Sequence, residues 1–207
     1  LATYKADTWL ADSSRQKPRI AIVGVGSLYS RAGVLSSYGH ELTGMAASSP
    51  DLKASIDRML ALSNTSMASP VASLPAYQLI GDCANRLILV TPPPGHVIAP
   101  AEMAEARVLI DEINAHLLTV TEDDLLGLFL RVIAGGVSKA HVLRALLRDP
   151  GAALGRPDNP GRPVEYLCTD SQCAQALLAL DAYFDDAKKG GAARGSSGSR
   201  RRPGDTP

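Results

Sequence analysis

Residues Arg131–Ala140 read RVIAGGVSKA, and the way this stretch breaks sets the fold class. Val132, Ile133 and Ala134 form a short apolar run of the kind that a buried strand requires. The run stops at Gly135-Gly136, and VSKAHVLRALLR continues with helical spacing to about Arg148. A strand that passes through paired glycines into a helix turns free backbone N–H groups toward one point, where an anion can sit. Lys139 falls in the first helical turn and adds a positive charge there. The same residues also fit a plain strand-to-helix turn with a solvated lysine, because short glycine-rich turns are common.

Upstream, Ile20–Val23 is a continuous apolar run, which predicts a strand covered on both faces. It ends in Gly24-Val25-Gly26-Ser27, a second place where the backbone can approach a ligand, and the following loop carries Arg31. Only a GxG is present, without a third glycine or a suitably spaced acid, so a dinucleotide site has little support. Downstream, Asp149–Pro163 is rich in Gly, Pro, Asp and Asn and reads as a surface loop. Val164–Thr169 (VEYLCT) is a strand, and Asp170-Ser171 caps a helix that carries Ala174, Leu177 and Leu178 inward.

The middle of the chain repeats this alternation. Asp51–Leu62 places Leu52, Ile56, Met59 and Leu60 on one helix face. Gly81-Asp82 precedes a strand at Leu87–Val90, and Thr91–Gly95 (TPPPG) is a stiff turn. Ala99–Leu109 reads as a short helix, with Glu102 and Glu105 on a solvated face. Ile113–Val120 reads as a strand, and Thr121 caps a helix whose first turn is acidic. At the start, Leu1, Tyr4, Ala6, Trp9 and Leu10 partly fit an amphipathic helix over Leu1–Ser14. Ser63–Pro75 reads as a loop or insertion. From Lys188 the composition becomes GGAARGSSGSRRRPGDTP, which buries too little to order itself. The expected division is therefore a domain over 1–187 and a disordered tail over 188–207, with Arg200–Arg202 either solvated or touching nucleic acid or a membrane.

The apolar fraction is 45% and the charged fraction 20% in 207 residues, ordinary for a globular domain. Lys and Arg together number 21, as do Asp and Glu, so the chain has no basic footprint for nucleic acid. Cys83, Cys168 and Cys173 are an odd set without disulfide or zinc spacing, and read as buried free thiols in a reducing, cytoplasmic setting. The four histidines stand alone, so neither a metal nor a cofactor is expected. No apolar run approaches the roughly 18 residues of a membrane span, and no signal-peptide pattern occurs.

Alternating strands and helices predict an α/β fold, a mainly parallel sheet flanked by helices. In such a sheet the strand C-terminal ends open on one edge, where ligands bind. Gly24–Ser27, Gly81-Asp82, Gly135–Lys139 and Thr169-Asp170 all fall at or beside that edge. The set suits a small polyol phosphate. Gly24, Gly26, Ser27, Gly135, Gly136 and Lys139 would receive the phosphate, and Asp82 would accept hydrogen bonds from hydroxyls. Each acid also has a structural role open to it: Asp82 as a turn former, Asp170 as a helix cap.

The order of these motifs resembles the C-terminal sugar-binding domain of the SorC family of bacterial transcription regulators. There a G(I/V)GS strand end, a GD segment, an AGGxxK turn and a strand ending in TD follow one another. Here they stand as Ile20–Ser27 (IAIVGVGS), Gly81-Asp82-Cys83, Ala134–Lys139 (AGGVSK) and Tyr166–Asp170 (YLCTD), over roughly residues 1–182. The resemblance implies a fold like the NagB/ribose-phosphate-isomerase α/β domains and a phosphorylated sugar as effector. It further implies homo-oligomerisation, no enzyme activity, and an effector facing Asp82 and Lys139 with the GVGS loop nearby. The family's GDICGRF pattern reads GDCANRL here. Family members also carry an N-terminal helix-turn-helix and a first half of the effector domain with a GxSxGxT loop. Neither is found in this sequence, so the expectation is part of a longer protein or a truncated relative, with DNA contacted only through a helix-turn-helix outside this chain. Two other readings stay open: a sugar-phosphate isomerase or lactonase with Asp82 as general base, and a degenerate interaction fragment that binds no sugar.

Overall fold

The apolar run that precedes GVGS becomes the central strand of a single sheet. A computed structural model describes residues 20–27, 44, 47, 49–64, 77–96, 98–117, 119–161 and 164–195. Its strands are β1 (Ile20–Ser27), β2 (Ile80–Cys83), β3 (Arg86–Leu89), β4 (Phe129–Ile133) and β5 (Val164–Cys168), in the spatial order β3-β2-β1-β4-β5. The helices are α1 (Pro50–Asn64), α2 (Pro100–His116), α3 (Glu122–Gly127), α4 (Ala140–Arg148), α5 (Pro150–Ala153) and α6 (Ser171–Gly195), with a 3-10 turn at Val137–Lys139 before α4. The predicted amphipathic segment Leu1–Ser14, Arg31, residues 65–75 of the predicted insertion and Arg200–Arg202 lie outside the described residues.

The α/β class is as predicted, but the sheet is mixed. Strands β1, β4 and β5 run parallel, whereas β2 and β3 form an antiparallel hairpin beside β1. The hairpin turn is the pair Ala84-Asn85, both left-handed at φ 54° and 60°. That pair of positive φ values matches the right-handed twist of the flanking strands. Ala84 is not a residue that favours this region, and its N–H is held by the Gly24 carbonyl at 3.0 Å. Gly81 and Asp82 are therefore strand residues within β2 and do not form the turn read from the sequence.

Three other expectations are corrected. Ile113 and Asn114 belong to α2, because Ala106, Leu109, Ile110 and Ile113 recur at the helical period on its buried side. Within Asp149–Pro163, Asp149 Oδ1 accepts from Ala152 N at 3.0 Å and caps the short helix α5, which brings Ala153 and Leu154 into the core. In α6 Leu177 packs against the core as expected, but the buried residues are Cys173, Ala176, Leu180 and Phe184, and Leu178 is exposed. The helix runs to Gly195.

The two faces of the parallel strands differ. Val23, Val25, Leu130 and Val132 join the core, on the side where α4 packs. On the opposite face Ile22 is 70% exposed, with Ile20, Ile133 and Tyr166 also exposed. The run Ile20–Val23 was expected to be covered on both sides and is covered on one among the described residues. Over the hairpin every residue of β2 and β3 is buried. The open edge of β3 is closed by Asn114, whose Oδ1 accepts from Leu87 N at 2.9 Å and whose Nδ2 donates to Leu87 O at 3.0 Å. The side-chain amide thus takes the place of a neighbouring strand at Leu87 and satisfies both backbone groups of that edge residue.

Helix α6 lies on α4 through a charged and aromatic clamp. The Arg144 guanidinium sits 3.4 Å from the centroid of the Phe184 ring and 3.1 Å from Asp181 Oδ1. Arg148 reaches both oxygens of the same carboxylate, at 3.1 and 2.6 Å. Buried Arg144 is held by a ring face and a carboxylate together, which offsets its desolvation. This clamp fixes the middle of α6 against α4.

Candidate functional site

The chain leaves β1 toward β2 on one side and reaches β4 on the other, so the C-terminal end of β1 is the point where the strand order reverses. Ligands of open α/β sheets bind at such a point. The antiparallel pairing brings the hairpin into it by another route than the one expected. Gly26 is opposite Asp82 and Ser27 opposite Gly81, so the start of β2 stands beside the end of β1. Of Ser27 only the backbone is described.

Opposed residues share a face of the sheet. Gly24, Gly26 and Asp82 therefore lie on the face that carries Ile22 and Ile133, and Gly81 lies on the α4 side. Both glycines of the Gly26–Gly81 region are required by contact. A Cβ at Gly26 would fall 1.6 Å from Asp82 Oδ2, and one at Gly81 would fall 2.4 Å from a Val142 methyl. The Asp82 carboxylate thus rests directly over the Gly26 backbone, in the space that any side chain there would fill. Gly24 has open space around it instead.

Asp82 is only 8% exposed. Burial pushes its carboxyl up from the ordinary 3.8 to about 6, and the Lys139 ammonium opposes that rise. Beneath it, burial and the Asp82 charge push the Cys83 thiol up to about 12, which leaves no thiolate for chemistry near neutral pH. Lys139 closes the 3-10 turn, half-buried, and its charge acts on Asp82.

Gly135 and Gly136 are arranged differently. Gly136 adopts φ 86°, a conformation open to glycine, and its N–H donates to Asp170 Oδ2 at 2.6 Å. Asp170 Oδ1 accepts from Cys173 N at 2.7 Å at the start of α6. A Cβ at Gly135 would meet Asp170 Oδ2 at 2.8 Å. The hydrogen bonds from the backbone N–H groups of Cys173, Gly136 and Gln172 hold the Asp170 carboxyl below the ordinary carboxylate value. Asp170 is the helix cap read from the sequence, and it is also the anion at the glycine turn. The sequence reading did not join those two roles; an acid that ends the neighbouring parallel strand one residue before a helix is the signal that would have done so.

The seven predicted residues therefore fall into two groups at one sheet edge. Gly26, Asp82 and Lys139 come together at the reversal point, with Gly24 and the Ser27 backbone on the same strand. Gly135 and Gly136 face Asp170. Glu105, read as solvated, is half-buried and paired with Arg58 at 2.6 Å. Of the cysteines, Cys83 and Cys173 are buried as expected and Cys168 is exposed, because it ends β5 on the open face. A cavity of ≈ 50 Å³ lies between β3, α2 and α5, lined in part by Arg86, Arg107, Asn114 and Leu154, and none of the predicted residues reaches it. Among the described residues no group of three or more His, Cys, Asp or Glu side chains is placed to hold a metal ion. No helix among them is long and apolar enough to cross a membrane.

No family model, curated protein or solved structure matches this chain.

Proposed function

We propose that this chain is a carbohydrate-binding sensor domain of the SorC-like kind, with a fold of the NagB/ribose-phosphate-isomerase type. The observation that carries the reading is Asp82: a buried carboxylate laid over a bare glycine backbone, at the reversal point of the sheet, with a lysine beside it. A carboxylate in that setting accepts hydrogen bonds from paired hydroxyls, and the ammonium of Lys139 donates to a further oxygen or to a phosphate. The effector is a sugar or sugar phosphate, bound in the cytoplasm. Binding acts through self-association and reaches DNA only through a helix-turn-helix outside this chain.

Calorimetry of the purified protein against sugars and sugar phosphates tests this directly. Lys139→Ala should weaken binding by about 1.5–3 kcal/mol through loss of one charge-assisted contact. Unchanged affinity in that variant would remove Lys139 from the site.

One observation favours an enzyme instead. A carboxyl titrating at about 6 is suited to general-base work near neutral pH. A sugar-phosphate isomerase or lactonase would use Asp82 to take a carbon-bound proton. Turnover of ribose 5-phosphate, abolished in Asp82→Asn, would replace the sensor reading with this one. The sensor is preferred because the group brought beside Asp82 is Lys139, whose ammonium suits holding a ligand oxygen or phosphate.

A further inference from the structure

The glycine turn after β4 has the form of an anion seat, and the chain supplies the anion. Gly136 N–H, the donor that paired glycines expose, is bound to Asp170 Oδ2 at 2.6 Å. The other oxygen of that carboxylate is bound to Cys173 N at 2.7 Å. Oδ2 also stands close enough to the Gly135 backbone that a Cβ there would be only 2.8 Å away. An incoming phosphate would have to displace a carboxylate held by backbone donors on both sides. It would also bring negative charge to an edge where the described residues already place two carboxylates, Asp82 and Asp170, beside the Lys139 ammonium. Like charges disfavour one another more strongly where solvent is excluded, and Asp82 is buried.

We infer that the effector of this site is an unphosphorylated sugar or polyol, with Asp170 standing where a phosphate group would otherwise bind. The inference rests on the carbohydrate-binding reading above and narrows it. A neutral polyol needs no anion seat. Its hydroxyls donate to Asp82 and accept from Lys139, and Asp170 keeps its contacts with Gly136 and Cys173 throughout. The expectation of a phosphorylated ligand rests on the glycines, the lysine and the family resemblance, with Asp170 read only as a helix cap.

The test compares matched pairs by calorimetry: D-ribose with ribose 5-phosphate, D-glucose with glucose 6-phosphate, and inorganic phosphate alone. Wild-type protein should bind a neutral member at least tenfold more tightly than its phosphate ester and should not bind inorganic phosphate. Asp170→Asn keeps a helix-capping acceptor while removing the charge, and Asp170→Ser caps while freeing the Gly136 N–H. In both variants the gap within a pair should shrink by about tenfold. Tighter binding of the phosphate ester by wild type would overturn the inference and leave the carbohydrate reading standing. A gap unchanged in both variants would remove Asp170 as its cause. Absence of binding by every sugar and every ester would overturn the carbohydrate reading, and this inference with it.

Discussion

Two aspartates stand at the same edge of the sheet in opposite electrostatic conditions. Asp82 is buried over Gly26, and loss of water raises its carboxyl to about 6. Asp170 is exposed, and backbone N–H groups from Cys173 and Gly136 lower its carboxyl. Both acids sit against glycine, Asp82 within β2 and Asp170 just after β5. The difference lies in what each carboxylate meets: the Gly26 backbone for Asp82, and backbone N–H donors of the glycine turn and the α6 start for Asp170. A carboxylate satisfied by its own fold is structural, whereas one that the fold desolvates is available to a ligand.

The sharpest way to break this contrast is Gly26→Ala. The new Cβ would occupy the position of the Asp82 carboxylate, 1.6 Å from Oδ2, so the acid must leave its place or the strands must part. Overpacking of this kind should cost about 3 kcal/mol by chemical denaturation and eliminate effector binding. The double variant Gly26→Ala with Asp82→Ala should recover most of that loss, because the two groups compete for one volume. Failure to recover would mean that Gly26 is required by the strand pairing and not by the carboxylate.

Asp82→Asn tests the desolvation side. The folded-state value, about 6, lies above the unfolded value of 3.8, so the folded chain binds the extra proton between them. Stability attached to this group is present below about pH 4 and is lost as pH rises through about 6. Removing the charge should therefore stabilise the protein at pH 7 by about 2 kcal/mol and flatten the stability profile between pH 4 and 7. Urea denaturation across that range reads it. An unchanged profile would place Asp82 in water and undo the contrast.

The elements of this site were more legible in the sequence than their meeting point. VIAGGVSKA and VEYLCTD gave strand, turn and helix directly, because glycine pairs and a capping Asp mark the ends of parallel strands. GDCANRL was opaque, since Ala84 in the left-handed region contradicts its own preference and is held there by the Gly24 carbonyl from another strand. Without that tertiary contact the segment does not announce a hairpin, and Gly81-Asp82 reads as a turn. Ile20–Val23 misled for a related reason. A continuous apolar run signals two buried faces, yet Ile22 is 70% exposed while Val23 joins the core. Periodicity reports what a strand is made of, and which face receives a helix is decided elsewhere in the chain.

The smallest effect should come from Asp170→Ala, and its pH dependence should mirror that of Asp82. The folded-state value of Asp170 lies below its unfolded value, so its contribution is present above the ordinary carboxylate value and is lost as pH falls through the folded one. Wild type should therefore exceed the variant in thermal midpoint at pH 7, by less than it exceeds Gly26→Ala, and the two should converge in strong acid. The loss is confined because Arg144, Arg148 and Asp181 still clamp α6 to α4 when its first turn loses the cap. Amide exchange separates the two supports: protection should fall at Gly136 and Cys173, whose N–H groups lose their acceptor, and persist around Leu180. Equal loss along the whole helix would mean that Asp170, and not the clamp, holds α6 in place, and the two aspartates would then differ in charge state but not in structural weight.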